Sequence, residues 1–432
     1  SVRMRGWAGD LHGAELAARQ LLCEAQRKGK RRGIAEALGA MGYTLGWQGR
    51  FAAAEDVLLR SVELARAAGR LSWMSQSLAL LASLDACRGH LAAARTRWAQ
   101  ATASSPHYDP MIGGCGAFIE LLAGDLMMVT AHARQAQGYD PAARSRLPAA
   151  LAARAAMAEA ERGRLTEARR HLDTMTRTGG VLQPWYWWAE GVVASAEGRW
   201  AAATTILQRA VDGYSAMNLW ALTGFVLADL AEVAMIAGDS DAATRAASSA
   251  SDAARRTGAP IHQALHQFAT AWALIGHGRH DQAARAASHA VEGLRSSGYA
   301  LLTARARVAY AIAARRSDPR AAEDAAREAV TVFDACGAVP RCEQARALLR
   351  DLGSDGRCAP AATRGPGALT GRERQVVELA AGGYTAPQIA TRLHIGVRTV
   401  ETHLARSYPK LGVTSKQQLV RRAAEFGFTL GP

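Results

Sequence analysis

The chain has 432 residues, of which 49% are hydrophobic and 21% charged, with a formal charge of +14 and a pI near 10.1. That length exceeds one ordinary core, so more than one domain or a repeat array is expected, and the composition is that of a soluble, globular chain. No apolar run reaches the roughly 18 residues of a membrane span and no signal peptide opens the chain, so the expected location is the cytoplasm.

From the start, glycines recur with a fixed rhythm. Gly9, Gly49, Gly89, Gly124, Gly163, Gly198, Gly238 and Gly278 follow one another at intervals of 35 to 40 residues. A second series, Gly29, Gly69, Gly179, Gly258, Gly298 and Gly337, falls between them. Each unit therefore has two glycine stops and two helices, since glycine ends helices at left-handed positions. In the second unit Ala54, Leu58, Val62 and Ala65 stand at helical spacing, with Arg60 and Glu63 between them. One helical hairpin cannot bury its apolar face alone, so the units must stack into a superhelix over residues 1–352. The pattern resembles tetratricopeptide repeats stretched to about 40 residues. The first unit is incomplete, its second helix beginning near Leu11, which leads to the expectation that a longer protein continues toward the N-terminus. Around Arg315 to Pro319 the glycine is replaced, marking an atypical terminal unit, with Pro340 to Leu352 as a capping helix.

Side chains of chemical interest in this region are few. The six cysteines, at 23, 87, 115, 336, 342 and 358, form no CxxC pair and no zinc spacing, so buried reduced thiols are expected. His262 and His266 lie four apart on one helix without a local third ligand, so a core or surface pair is expected and no metal site. The densest aromatic cluster is Trp185-Tyr186-Trp187-Trp188, with Trp200 and Trp220 one and two helices further on. Helical spacing puts Trp185 and Trp188 on one face and Trp187 elsewhere. Trp185, Trp188, Trp200 and Trp220 are thus either a ligand pocket on the concave surface or packing between repeats, the second being favoured. No GxxxxGK[ST], GxSxG, HExxH or paired-carboxylate motif stands in a convincing context, so neither an enzyme nor a cofactor is expected.

Residues 353–368, GSDGRCAPAATRGPGA, have no helical period and read as a flexible linker spanning about 20–25 Å if coil-like. Beyond it, residues 369–432 hold four helical patterns. The first runs from Arg372 to Ala381, with Thr370 and Glu373 at capping-box spacing, an apolar side of Val376, Val377, Leu379 and Ala380, and Gly382-Gly383 as its stop. The second runs from Ala386 to Leu393, capped by Thr385, with Pro387 tolerated in its first turn. After the turn His394-Ile395-Gly396, the third runs from near Val397 to about Tyr408. Val400 and Leu404 face inward, while Arg398, Glu401, Thr402, Ala405 and Arg406 face out. Pro409 should end or kink it a turn early. The fourth, Ser415 to Phe426, buries Leu419, Val420 and Ala423.

Two short helices joined by a tight turn, the second with a polar outer face, form a helix-turn-helix, and one helix fits the major groove of duplex DNA. Nine lysines and arginines stand against four acidic residues from Leu369 onward, which suits a polyanion. Four pieces in order, LTGRERQVVELAAGG, IATRL, TVETHL and KLGV, resemble the LuxR/GerE-type DNA-binding domain over Leu369 to Phe428. Gly371 and Gly396 stand where that family often has proline and serine. The resemblance implies a helix-turn-helix over Thr385 to Leu404, including Gln388 and Thr399. It implies a recognition face of Glu401, Thr402 and Ala405, and Arg398, Arg406 and Lys410 as phosphate or base-edge contacts. It further implies transcription regulation and homodimers on DNA through the fourth helix, around Leu419, Val420 and Ala423. A helical solenoid joined to such a domain resembles the C-terminal part of large ATP-binding LuxR-family regulators, including MalT-like activators.

The expected architecture is all-α: a tetratricopeptide-like superhelical solenoid, a linker and a small four-helix helix-turn-helix domain. The expected function is sequence-specific regulation of transcription, more as activator than repressor, with the solenoid receiving a protein or small-molecule signal. The rivals are a protein-assembly adaptor with weak nonspecific DNA affinity, and the regulatory half of an ATPase switch whose enzyme part lies elsewhere.

Overall fold

The computed structural model describes residues 10–105, 107–139, 149–175, 182–353, 369, 371–393 and 396–423. Among these the regular structure is helical throughout. The first helices are α1 (Leu11–Arg27), α2 (Arg31–Trp47), α3 (Phe51–Ala67), α4 (Leu71–Arg88), α5 (Leu91–Ser104) and α6 (Pro110–Ala123). Then come α7 (Leu126–Tyr139), α8 (Ala149–Glu161), α9 (Leu165–Asp173), α10 (Leu182–Ala196), α11 (Trp200–Ala216) and α12 (Trp220–Ile236). The array closes with α13 (Ser240–Thr257), α14 (Pro260–Gly276), α15 (His280–Ser296), α16 (Ala300–Ala314), α17 (Pro319–Cys336) and α18 (Val339–Asp351).

Glycines of both series that fall on described residues have positive φ, for example Gly49 at 79° and Gly298 at 83°. Asn218, at φ 56°, holds the left-handed position where the 200–237 unit lacks a glycine; asparagine is among the few side chains that tolerate it. Where the turn after α16 has no glycine, Asp318 caps α17 by accepting from Ala321 N at 3.0 Å, and Pro319 occupies the first helical turn. The expected capping helix is α18.

Odd- and even-numbered helices differ. The outer α13 buries one stripe, Ala243, Ala246, Ala250 and Ala253 among it, and faces solvent with Ser and Arg. Three of the inner helices are buried on every side: α6 continuously from Ile112 to Leu122, α8 from Leu151 to Ala160, and α12 from Ala221 to Ala234. The superhelix turns tightly enough that its second turn rests on its first. The stop glycine of each early inner helix abuts the start of the inner helix five hairpins further on. Gly89, ending α4, lies against Ile261 of α14 and Ser297. Gly124, ending α6, lies against Leu301 of α16 and Cys336 of α17, where an added Cβ would meet the Cys336 sulfur at 3.0 Å. These two positions need glycine twice over, for a left-handed φ and for the close approach. The later stop glycines Gly238 and Gly278 have nothing within 4 Å of that point. A fully buried Tyr299 seals the seam by donating its hydroxyl to Ala86 O.

A buried ionic network crosses the same seam. Arg305 of α16 donates Nε to Glu232 at 2.7 Å and lies 2.7 Å from Asp229, both on α12. Arg341 of α18 donates to Glu232 at 3.0 Å and to Glu161 of α8 at 2.6 and 2.9 Å. Trp188 Nε1 donates to Asp229 at 2.6 Å. Although burial alone would raise it, the two guanidiniums hold the Glu232 carboxyl below its ordinary range.

Two expectations change and a third falls outside the described residues. An open concave surface is largely absent among the described residues, because the inner helices of successive turns fill it. Cys23 is exposed, whereas Cys87, Cys115 and Cys342 are buried and Cys336 is half-buried. Of the linker only Gly353 is described, so its flexibility and Cys358 lie outside the described residues. No described helix is long and apolar enough to cross a membrane.

Candidate nucleic-acid interface

The C-terminal unit is built from α19 (Gly371–Ala381), α20 (Ala386–Leu393), α21 (Val397–Leu411) and α22 (Lys416–Arg421). It has its own core: Val376, Val377 and Ala380 from α19, Ile389 from α20, Val400 from α21 and Leu419 from α22 are all wholly buried. Burying each of the valines, leucines and isoleucines contributes about 1.5–3 kcal/mol, which holds so small a unit together. Gly383, at φ 91°, ends α19. Lys416 donates to the Gly383 and Tyr384 carbonyls at 2.9 and 2.7 Å, placing a cation at that helix's C-terminal end. Thr385 stands directly before α20, and Gln388 reaches back to accept from Thr385 N at 2.8 Å and Thr385 Oγ1 at 3.0 Å. Thr370 and the turn residues 394 and 395 lie outside the described residues.

Gly396 is the N-cap of α21 in extended backbone, at φ −68° and ψ 145°, a conformation a serine would also adopt. From there the helix divides cleanly. Val400, Leu404, Ser407 and Leu411 are buried. Val397, Arg398, Thr399, Glu401, Thr402, Ala405 and Arg406 are exposed, with Thr385 and Gln388 exposed beside α20. His403 is half-buried on the flank. Thr402 Oγ1 donates back to Arg398 O at 2.8 Å, which leaves its oxygen as an acceptor and its methyl free to meet a base edge. Among the described residues neither Arg398 nor Arg406 forms an ion pair, so their charge is available to a polyanion.

Lys410 is a correction. Its ammonium is 2.6 Å from Glu373, a carboxylate buried in the unit, so it ties α21 to α19 instead of joining the exposed face. Glu373 thus serves that tie, and the capping-box partner proposed for it, Thr370, is not described. Pro409 is a second correction: α21 continues through it to Leu411 and ends at left-handed Gly412. Proline's fixed φ is helical, and a donor lost two residues from the end costs little because Val413 N closes the last turn onto Tyr408 O at 3.0 Å. The fourth helix is described only from Lys416 to Arg421, capped by Ser415, and residues 424–432 lie outside the described set. Leu419 and Ala423 face the unit's own core and offer nothing to a second copy; Val420, half-buried beside exposed Gln417 and Arg421, is the part of that expected surface that remains.

Two residues missed in the sequence join the exposed surface. Val397 is 40% exposed at the first helical position of α21, an apolar side chain suited to a thymine methyl. Arg392 of α20 is exposed with its guanidinium 4.1 Å from the Tyr384 ring, and among the described residues no carboxylate pairs with it. The sequence signals were a hydrophobe directly after the N-cap and an arginine eight residues beyond a tyrosine.

All four tryptophans singled out in the sequence pack within the repeat domain. Trp185 and Trp188 stack at 5.5 Å, and Trp185 meets Trp47, Phe118 and Tyr214 edge-on. Trp188 is tied to Asp229, and Trp200 packs on the core. Trp220 packs near Gly49 under Arg256, at 4.3 Å. Of these four, Trp185 alone borders, together with Trp47, the cavity that the described residues enclose between the inner helices. His262 is wholly buried and His266 bonds Ala247 O at 3.1 Å, so the two rings serve separate surroundings.

Comparison with known proteins bears on the C-terminal unit. Residues 367–423 match the family described as bacterial regulatory proteins, luxR family. Putative HTH-type transcriptional regulators of Mycobacterium bovis and Mycobacterium tuberculosis are 50% identical over 64 residues, 15% of this chain and 7% of theirs. The HTH-type transcriptional regulator MalT of Yersinia pestis is 44% identical over 55 residues, 13% of this chain and 6% of that one. The chain thus matches less than a tenth of the length of these relatives. Among solved structures, a signal transduction ATPase with a tetratricopeptide repeat sensor from Pyrococcus horikoshii aligns with 69% of this chain and 50% of its own. Its TM-score is 0.40 at 13% identity.

Proposed function

We propose, on the premise that residues 367–423 form a helix-turn-helix domain of the luxR family of bacterial regulatory proteins, that this chain regulates transcription in a bacterial cytoplasm by binding selected duplex sequences. The carrying observation is the outer face of α21, where Arg398, Glu401, Thr402, Ala405 and Arg406 are exposed above a core-facing Val400 and Leu404. Residues 401, 402 and 405 would meet base edges, and Arg398 and Arg406 would hold phosphates on either side. The repeat domain would receive a signal, and binding as a homodimer would use the face of α22 around Gln417, Val420 and Arg421. Activation is the favoured outcome, by analogy with MalT-like activators alone.

The test is selection of bound duplexes from a random pool, followed by titration of the winner and of a random duplex at one stated salt concentration. A regulator binds the selected sequence at least about 10³-fold more tightly. Equal affinities would favour an adaptor with nonspecific affinity and remove the regulatory reading.

A further inference from the structure

Inside the first superhelical turn, the inner helices α2, α4, α6, α8 and α10 surround a cavity of about 330 Å³. Its walls are apolar and aromatic, with Tyr43, Trp47, Leu80, Met111 and Trp185 prominent. Among the described residues one charged side chain lines it. Arg154 of α8 is 6% exposed, donates Nη1 to Gly114 O at 2.9 Å, and has no hydrogen-bond partner for Nε. Its guanidinium lies 4.6 Å from the Trp185 ring and 5.1 Å from that of Phe118. Among the described residues no carboxylate pairs with it. Arg305, the other buried arginine among the described residues, has two carboxylates, as does half-buried Arg341.

A buried guanidinium without a counter-charge is costly, and burial pushes Arg154 below its ordinary pKa. Aromatic faces offset part of that cost. They do not supply the planar pair of acceptors that the guanidinium fork matches best. The structure assigns this cavity to a small monocarboxylic acid with a flat or chain-like apolar body, its carboxylate on Arg154 and its body against Trp47 and Trp185. A single positive charge in an apolar chamber matches one negative charge, which favours a monocarboxylate over a phosphate dianion. The volume equals roughly eleven liquid-water volumes, enough for one or two fused rings with a short acid arm. Because five successive inner helices form the wall, an occupant would brace the whole first turn. This deepens, and in its signalling part rests on, the reading of the repeat domain as receiver of a signal.

All ten tryptophans precede residue 353, so their fluorescence reports this domain alone. The full chain is titrated with phenylacetate, indole-3-acetate and octanoate, each beside its neutral amide. At least one acid should change tryptophan emission saturably and bind at least tenfold more tightly than its amide. Arg154→Met should abolish that preference, with Arg154→Lys keeping part of it. The Met variant should melt no lower than the parent, since an apolar replacement of an uncompensated buried charge is neutral or stabilising. The assignment is overturned if no acid binds below about 1 mM, if acid and amide bind alike, or if Arg154→Met lowers the melting temperature, which would make Arg154 structural. Duplex affinity is measured on the same samples. Acid binding that leaves it unchanged overturns the signalling part, and absence of selective duplex binding overturns the regulator reading while the acid site stands.

Discussion

Arginine does opposite work in the two halves of this molecule. In the repeat domain, Arg305 and Arg341 lie inside the seam between superhelical turns, each held by two carboxylates. In the C-terminal unit, Arg398 and Arg406 stand exposed on α21 with no ion pair among the described residues. A cation matched within its own chain holds two helices together. A cation left unmatched on a polar face is an address for something else. Charge composition cannot distinguish the two; only the location of the carboxylates does. Arg154, unmatched yet buried, belongs to neither class, and its location in a cavity is what makes it informative.

The strongest way to break the comparison is to unmatch a matched arginine. Glu232→Ala leaves buried Arg305 and half-buried Arg341 each short of a partner and should destabilise the repeat domain by about 3–5 kcal/mol. Urea unfolding followed by tryptophan emission measures it. A loss under about 1 kcal/mol would mean the network is solvated and does not staple the seam.

The next effect comes from a group on the same seam that titrates. Burial between Phe51 and Phe225 drops the His262 pKa to about 4. Its unfolded value is near 6.5, so the unfolded chain holds the extra proton between those pH values and stability must fall as pH falls through that window. The full contribution is about 3 kcal/mol. His262→Leu should flatten the stability profile between about pH 6.5 and 4. Glu232, with its lowered pKa, adds a separate loss that begins only as pH falls below the ordinary carboxylate range. An unchanged slope in the variant would show that His262 is hydrated.

These seam residues also mark where sequence reasoning stopped. The glycine rhythm placed both helices of nearly every unit, because a left-handed stop is a local requirement written in one residue. The contact of Gly124 with Leu301 and Cys336 is not local, and nothing in the spacing of a single repeat announces it. The available sign was compositional: stretches such as MIGGCGAFIELLA in α6 have almost no polar face, more burial than a hairpin on an open superhelix can use. In the C-terminal unit nearly every exposed and buried position of α21 was legible, since a period of 3.6 residues with Val400 and Leu404 inside fixes the rest. Lys410 was misjudged because its partner, Glu373, is 37 residues away in sequence. Pro409 was misjudged because one missing donor near a helix end is a weak force.

Lys410 sharpens the comparison within the smaller unit, where it is the matched cation. Lys410→Ala leaves the carboxylate of Glu373 buried with its ion pair broken and should cost roughly 1–3 kcal/mol. Faster hydrogen exchange in peptides from α19 and α21, with duplex sequence preference retained, is the expected result. A shifted preference with unchanged exchange would return Lys410 to the DNA-reading face.

Arg398 is the unmatched counterpart, and its removal should act on DNA alone. Arg398→Ala should leave unfolding unchanged, weaken binding to selected and random duplexes alike, and reduce the salt slope of log affinity by about one if it meets a phosphate. A slope that does not move, with affinity lost only for the selected sequence, would place it on a base.

Thr402 carries the smallest effect and the finest distinction. Its hydroxyl proton is already given to Arg398 O, so toward DNA it offers one acceptor and one methyl. Thr402→Ala should therefore change preference at one or two positions of the selected duplex by about 1 kcal/mol. Random-duplex affinity and the salt slope should not change, since no charge is removed. Repeating the selection with the variant measures this directly. If the same sequences emerge with the same ranking, reading of the duplex falls to Glu401, Ala405 and the apolar Val397, and Thr402 only caps its own helix turn.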